Sequence, residues 1–242
     1  MRVYPTLLGA TALLLSLAQG QAETVGGTQS SPNWNGLYLG GALGHRSQEL
    51  VWTALGTGLL DWDGTPPLQA DEDDLDFGAH LGRLYRLDNG IVLGWELGWN
   101  NTSSAVSYTG GPVGFNGTWV SELDNIATLT GRIGRDMGPL LPYVELGIAG
   151  AEVKVSNSQP GLCAGQDCAS DLGGWTPGIV AGLGVDYRIT DQISLGLSYR
   201  HVRFPEQRTS LDLPIGNVIS EEEFYLEGQS DIFAARFTYH FN

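Results

Sequence analysis

The chain holds a single lysine, Lys154, and its 12 basic residues stand against 27 acidic ones. So acidic a surface has no footing on nucleic acid, whose binding rests on neutralising phosphates. Methionine is nearly as scarce, at two in 242 residues, while 35 glycines and 10% aromatics favour strands and turns over helices. No hydrophobic run in the body of the chain approaches the roughly 20 residues that a membrane-spanning helix needs, so any span must be built of strands. The longest run, Leu7 to Leu17, follows Arg2 and precedes Gly20-Gln21-Ala22. A short charged start, an apolar core of about ten residues and a small-x-small site predict a secretory signal peptide cut after Ala22. Its removal takes Arg2 away and leaves 11 basic residues against 27 acidic.

Cysteine is limited to Cys163 and Cys168, both in one polar stretch. In an exported chain such a pair favours a local disulfide. The ring is too small to reach the ~3 kcal/mol expected of a 15-residue loop, so its role is to shape the loop. No histidine or second cysteine pair lies nearby to complete a zinc site, and neither metal nor cofactor is expected.

What is present is alternation. In Trp175–Phe204, Ile179, Ala181, Leu183, Val185, Tyr187 and Ile189 alternate with Gly178, Val180, Gly182, Gly184, Asp186 and Arg188. After Thr190-Asp191-Gln192 the pattern resumes, with Ile193, Leu195, Leu197 and Tyr199 against Ser194, Gly196, Ser198 and Arg200. Period two makes these strands, and a tight turn between them makes a hairpin. One face is wholly apolar and the other mixes glycine with charge, which suits a barrel in lipid rather than a soluble sandwich. Similar runs cover 34–45, 76–87, 91–100, 119–135, 142–155 and about 230–241, giving eight strands in all. Short turns follow the second, fourth and sixth strands, and long connections are expected at 46–75, 101–117, 156–174 and 203–229. That asymmetry is the one expected of periplasmic turns and extracellular loops. Trp34, Tyr85, Tyr187, Tyr239 and Phe241 are expected in a periplasmic aromatic belt, and Trp99 and Trp175 in an extracellular one.

The fold class is therefore all-β: a transmembrane, eight-stranded, antiparallel, up-and-down β-barrel. Its parts are a signal peptide over 1–22, a linker over 23–32 and a barrel domain over 33–242. The segments WNGLYLGGALGH, FGAHLGRLYRLDNGIVLGWELGW, LTGRIGR with LPYVELGIAGAEV, and GWTPGIVAGLGVDYRITDQISLGLSYRHVRF resemble strands of the small OmpA-like porin family. Its members include the outer-membrane immunogenic proteins of Gram-negative bacteria. The resemblance implies residence in the bacterial outer membrane among lipid and lipopolysaccharide, insertion by the barrel assembly machinery, and roles in envelope integrity, adhesion or surface antigenicity. The terminal aromatics Phe237, Tyr239 and Phe241 match the family's assembly signal, although Asn242 follows where the family usually ends on an aromatic residue.

The inward set contains Arg86, Glu96, Arg132, Glu145, Asp186, Arg188, Arg200 and Arg236. Eight strands enclose an interior that side chains just fill, so these charges are expected to pair into a plug. The rival is a narrow ion path lined by Arg and Glu, a low-conductance channel. The four expected loops carry fifteen acidic residues against three basic, a surface for a host or matrix ligand. Asp71-Glu72-Asp73-Asp74, with Asp76, has oxygen ligands for a divalent cation, but it lacks EF-hand spacing and reads more simply as a solvated loop. Catalysis ranks third. His201-Val202-Arg203 lacks the histidine-x-serine pattern of lipid A deacylases, and Ser194 and Ser198 point away from His201. The expected protein is a monomer without enzymatic activity.

Overall fold

The computed structural model describes residues 33–56, 68–101, 105–110, 117–158, 172–215 and 218–241. The expected signal segment, the cysteine pair and Asn242 lie outside them. The strands are β1 (Gly36–Ala54), β2 (Leu68–Arg86), β3 (Ile91–Asn101), β4 (Ala105–Gly110), β5 (Gly117–Arg135), β6 (Leu140–Ser158), β7 (Leu172–Arg188), β8 (Ile193–Ile215) and β9 (Val218–Phe241). β3 and β4 lie end to end along β5, β3 against 125–135 and β4 against 117–122, so nine strands make eight staves.

All pairings are antiparallel, and the sheet closes on itself through β3 and β5 and through β1 and β9. The ladder can be followed around the wall from Tyr38 through Gly82, Glu96, Thr130, Gly147, Val180, Val202 and Ser230. It returns to β1 at Gln48, ten residues from its start. That stagger is the shear a closed barrel of tilted strands requires. No sheet edge is then left unpaired in lipid, where each orphaned backbone group costs several kcal/mol.

The three periplasmic turns follow from local chemistry. Gly90 and Gly138 adopt φ of 78° and 76°, a left-handed conformation that glycine enters without a Cβ penalty. The Asn89 side chain accepts from the Ile91 amide at 3.0 Å, and Asp136 does the same for Gly138 at 2.9 Å. In the third turn Thr190 Oγ1 accepts from the amides of Gln192 and Ile193.

Outward residues such as Leu39, Leu97, Leu146, Ile179, Leu197 and Phe237 are roughly half exposed or more. A continuous apolar belt of that extent is stable only against lipid. Above it the alternation changes sign. On β1, Leu37, Leu39 and Leu43 face out, but past His45 the outward residues include Ser47 and Glu49 while Leu50 and Trp52 turn in. On β9 the outward side passes from Phe233 to Asp231, Gln229 and Glu227, with Phe224 and Leu226 inside.

This inversion corrects the expected loops. Much of 46–75, 101–117 and 203–229 is strand, because the wall continues above the membrane as an ordinary water-facing sheet with an apolar inside. A search for an outward apolar face stops where that face turns polar. The strands run 17 to 24 residues in seven staves, well past the 9 to 11 or so that cross a bilayer. The acidic run 71–76 also lies on β2 rather than in a loop. Asp71 and Asp73 are exposed, whereas Asp76 is fully buried and bonded to Arg46 and Asn100.

Candidate functional site

The centre of the lumen is crossed by one charged layer. Glu96 projects from β3, its side chain without exposed surface, and its carboxylate is shared by three guanidinium groups. Arg132 Nη1 lies 2.9 Å from Oε2, Arg236 Nη2 donates to Oε2 at 2.6 Å, and Arg200 Nη2 donates to Oε1. Tyr38 Oη donates to Oε2 at 2.8 Å. Glu145 on β6 accepts from Arg132 Nε at 2.9 Å and from Arg200 Nε at 2.6 Å. The Arg132 guanidinium also lies over the Tyr143 ring, 4.2 Å from its centroid. These residues come from β1, β3, β5, β6, β8 and β9, so the layer ties six staves together.

Burying this much charge is tolerable only because every member is paired. The five charged side chains are 0 to 7% exposed. Room for the layer comes from glycine on the neighbouring strand: a Cβ on Gly82 would fall 2.3 Å from Tyr38 Oη.

Three members of the sequence-derived set stand elsewhere. Arg86 has the inward parity but sits at the periplasmic rim, its side chain 40% exposed and bonded to Asp136 of the turn. Arg188 reaches down to the Asp191 and Asn33 carbonyl oxygens at 2.7 and 3.0 Å. Its guanidinium is stacked 4.3 Å from the centre of the Trp34 ring. Asp186 is buried in the lumen, but its Oδ1 has no hydrogen-bond partner among the described residues. Trp34, expected in the periplasmic belt, is instead fully buried, donates to the Gly138 carbonyl at 3.0 Å and closes the lower end of the lumen. It lies before β1, where strand parity no longer orients a side chain. Tyr38 and Tyr143, absent from the expected charge set, share its inward parity.

A second, apolar layer fills the lumen above the first. Leu50, Trp52, Ile126, Val202, Phe204, Phe224 and Leu226 are all buried, and Trp52 meets Phe224 edge to face at 6.1 Å. Between the two layers lie Arg46, Asp76 and Asn100, bonded to one another through the Asp76 carboxylate.

The histidines resolve into two kinds. His80 contacts Thr238 Oγ1 at 2.9 Å, and His240 contacts Ser194 Oγ at 2.9 Å, both deep in the barrel. No sequence pattern signals the Ser194–His240 contact, since the two residues stand 46 positions apart on different strands. Ser194 is fully buried, and no carboxylate bonds His240 among the described contacts, so the pair lacks both access and an orienting acid. His201 faces outward and bonds Asp231 at 2.8 Å, and Tyr199 Oη donates to the same carboxylate oxygen at 2.6 Å.

With this geometry in place, a family model described as outer membrane protein beta-barrel domain matches residues 9–241. The chain belongs to that family. Among its relatives, the 25 kDa outer-membrane immunogenic protein of Brucella ovis is 28% identical over 86% of this chain and 89% of its own length. The 22 kDa outer membrane protein of Rhizobium leguminosarum is 28% identical over 74% of this chain and 69% of its own. Among solved structures, the outer membrane protein OprG of Pseudomonas aeruginosa superposes with a TM-score of 0.51 at 12% identity, covering 88% of this chain and all of that one. The last likeness concerns fold alone. Together with the lipid-facing belt, family membership locates the protein in the outer membrane.

Proposed function

We propose that the protein is a closed barrel that reinforces the outer membrane and offers its acidic extracellular wall as a binding surface, with no aqueous pore. The observation that carries this reading is Glu96 held by Arg132, Arg200 and Arg236 across the full width of the lumen. An ion moving along the axis would have to break that layer and then cross the apolar layer above it. Both seals contain side chains that meet from opposite walls, so neither opens by a single rotamer change.

In this reading the protein acts as a monomer, is inserted by the barrel assembly machinery and packs against lipopolysaccharide. Its ligand at the outer rim is a host or matrix molecule. No catalytic role is assigned, since Ser194 and His240 serve as lumen filling. The test is dye uptake by cells lacking the protein. Deletion should raise uptake of a hydrophobic probe such as N-phenylnaphthylamine, and the intact chain should restore the barrier. The same cells should lose binding to matrix-coated surfaces when 49–72 and 206–224 are cut back. Uptake and adhesion that ignore both deletion and trimming would remove the proposal.

A further inference from the structure

The ladder between β1 and β9 joins the two ends of the chain, setting Leu37 against Phe241 at the bottom and Ala54 against Phe224 at the top. Every other ladder between staves joins staves that follow one another along the chain. Neighbouring staves meet at a small loop-closure cost, whereas a contact across the whole chain waits until the staves between are in place. The β1–β9 ladder is thus the seam at which the barrel closes, and its lower end lies at the periplasmic mouth.

Just before that end the chain leaves the line of β1. Gly36 takes φ of 122°, a conformation that residues with a Cβ rarely adopt, and the three residues before it bind across the mouth. Asn35 Oδ1 accepts from the Arg86 amide at the end of β2 at 2.6 Å. The buried Trp34 ring packs with Leu84, Val92 and Leu141, its N–H is bonded to Gly138 of the second turn, and its edge meets His240 of β9 at 5.8 Å. The Asn33 carbonyl accepts from Arg188, which also holds the Asp191 carbonyl of the third turn. His240 is fixed in its turn, since its amide donates to the Gln192 carbonyl at 2.7 Å. Gly138 and Arg188 lie 104 and 155 residues along the chain from the groups they bind. These partners stand together only once β9 has met β1.

We propose that residues 33–36 form a latch, set after the β1–β9 seam has closed, that holds the lower end of the seam against opening from the periplasmic side. The seam cannot part at Leu37 and Phe241 without withdrawing the indole from beneath Arg188 and away from His240. The latch lies below the charged layer and takes no part in blocking ions there, so its failure leaves the closed-barrel reading standing.

The test follows folding into phosphatidylcholine vesicles and unfolding from them in urea, read by the heat-shifted gel band of the full chain. Contacts made after the transition state slow unfolding and leave folding unchanged. Trp34→Ala should therefore speed unfolding by about a hundredfold, the scale of a large side chain lost from a packed site, and change the folding rate by less than about twofold. Gly36→Ala keeps every latch side chain but strains the turn into the mouth, and should shift the rates in the same sense. Trp34→Phe, which loses the bond to Gly138 and keeps a ring, gives a milder form of the shift and serves if the alanine variant does not fold. Hydrogen exchange separates a latch from an ordinary buried residue: the amides of 37–43 and 235–241 should lose protection in the Trp34 variants, while those of 48–54, higher on the same seam, keep theirs. Folding slowed as much as unfolding is quickened would show that Trp34 docks before closure and would overturn the proposal. So would unfolding rates that no variant alters, or protection lost evenly along the seam.

Discussion

At the scale of single residues the lumen depends on Glu96. Its carboxylate offsets three arginines in a buried space, and removing one partner of a buried ion pair leaves an uncompensated charge. Glu96→Gln should therefore destabilise the barrel by about 3–5 kcal/mol, read as a lowered urea midpoint in detergent or lipid. Gly82→Val tests the packing directly. Its Cβ would fall 2.3 Å from Tyr38 Oη and 2.5 Å from the Trp95 carbonyl oxygen, and since the second atom is backbone, a side-chain movement does not relieve the clash. The variant is expected to show no heat-shifted folded band on a denaturing gel. Much of this layer was legible in advance, because strand parity alone turns Glu96, Arg132, Glu145, Arg200 and Arg236 to one side. Parity says nothing about height along the axis, which is why Arg86 and Arg188 turned up at the periplasmic end, and it says nothing of Trp34, which precedes the first strand.

At the scale of strands, the change of sign in the alternation marks where lipid ends. Leu97 sits in the middle of β3 on the lipid side, and Ser47 faces outward on β1 above the belt. Leu97→Arg should cost about 2–4 kcal/mol, the penalty for a cation near the bilayer midplane. Ser47→Arg should stay within about 0.5 kcal/mol. Equal costs at the two positions would misplace the boundary. The lower ends of the strands and their turns were readable because Asn89-Gly90 and Thr190-Asp191-Gln192 announce reversal and the belt is purely apolar. The upper ends were not, because Glu49, Asp71, Asp73 and Glu227 look like loop residues to a reading that expects lipid outside. Only the inward Leu50, Trp52, Phe224 and Leu226 reveal that those acids decorate a sheet.

At the scale of the whole molecule, the barrel is sealed twice, by charge within the membrane and by apolar packing above it. The first seal also braces the staves, since its members come from six of them. On the proposed function the outer wall is the working surface of a barrel so filled. The claim on which the account rests is that no ion passes along the axis. Recording from single barrels in a planar bilayer tests it most directly. The wild-type protein is expected to give no unitary steps at any applied potential that the bilayer survives. Reproducible steps whose size changes in Glu96→Gln or Arg132→Gln would show that ions traverse the charged layer, and would contradict the account.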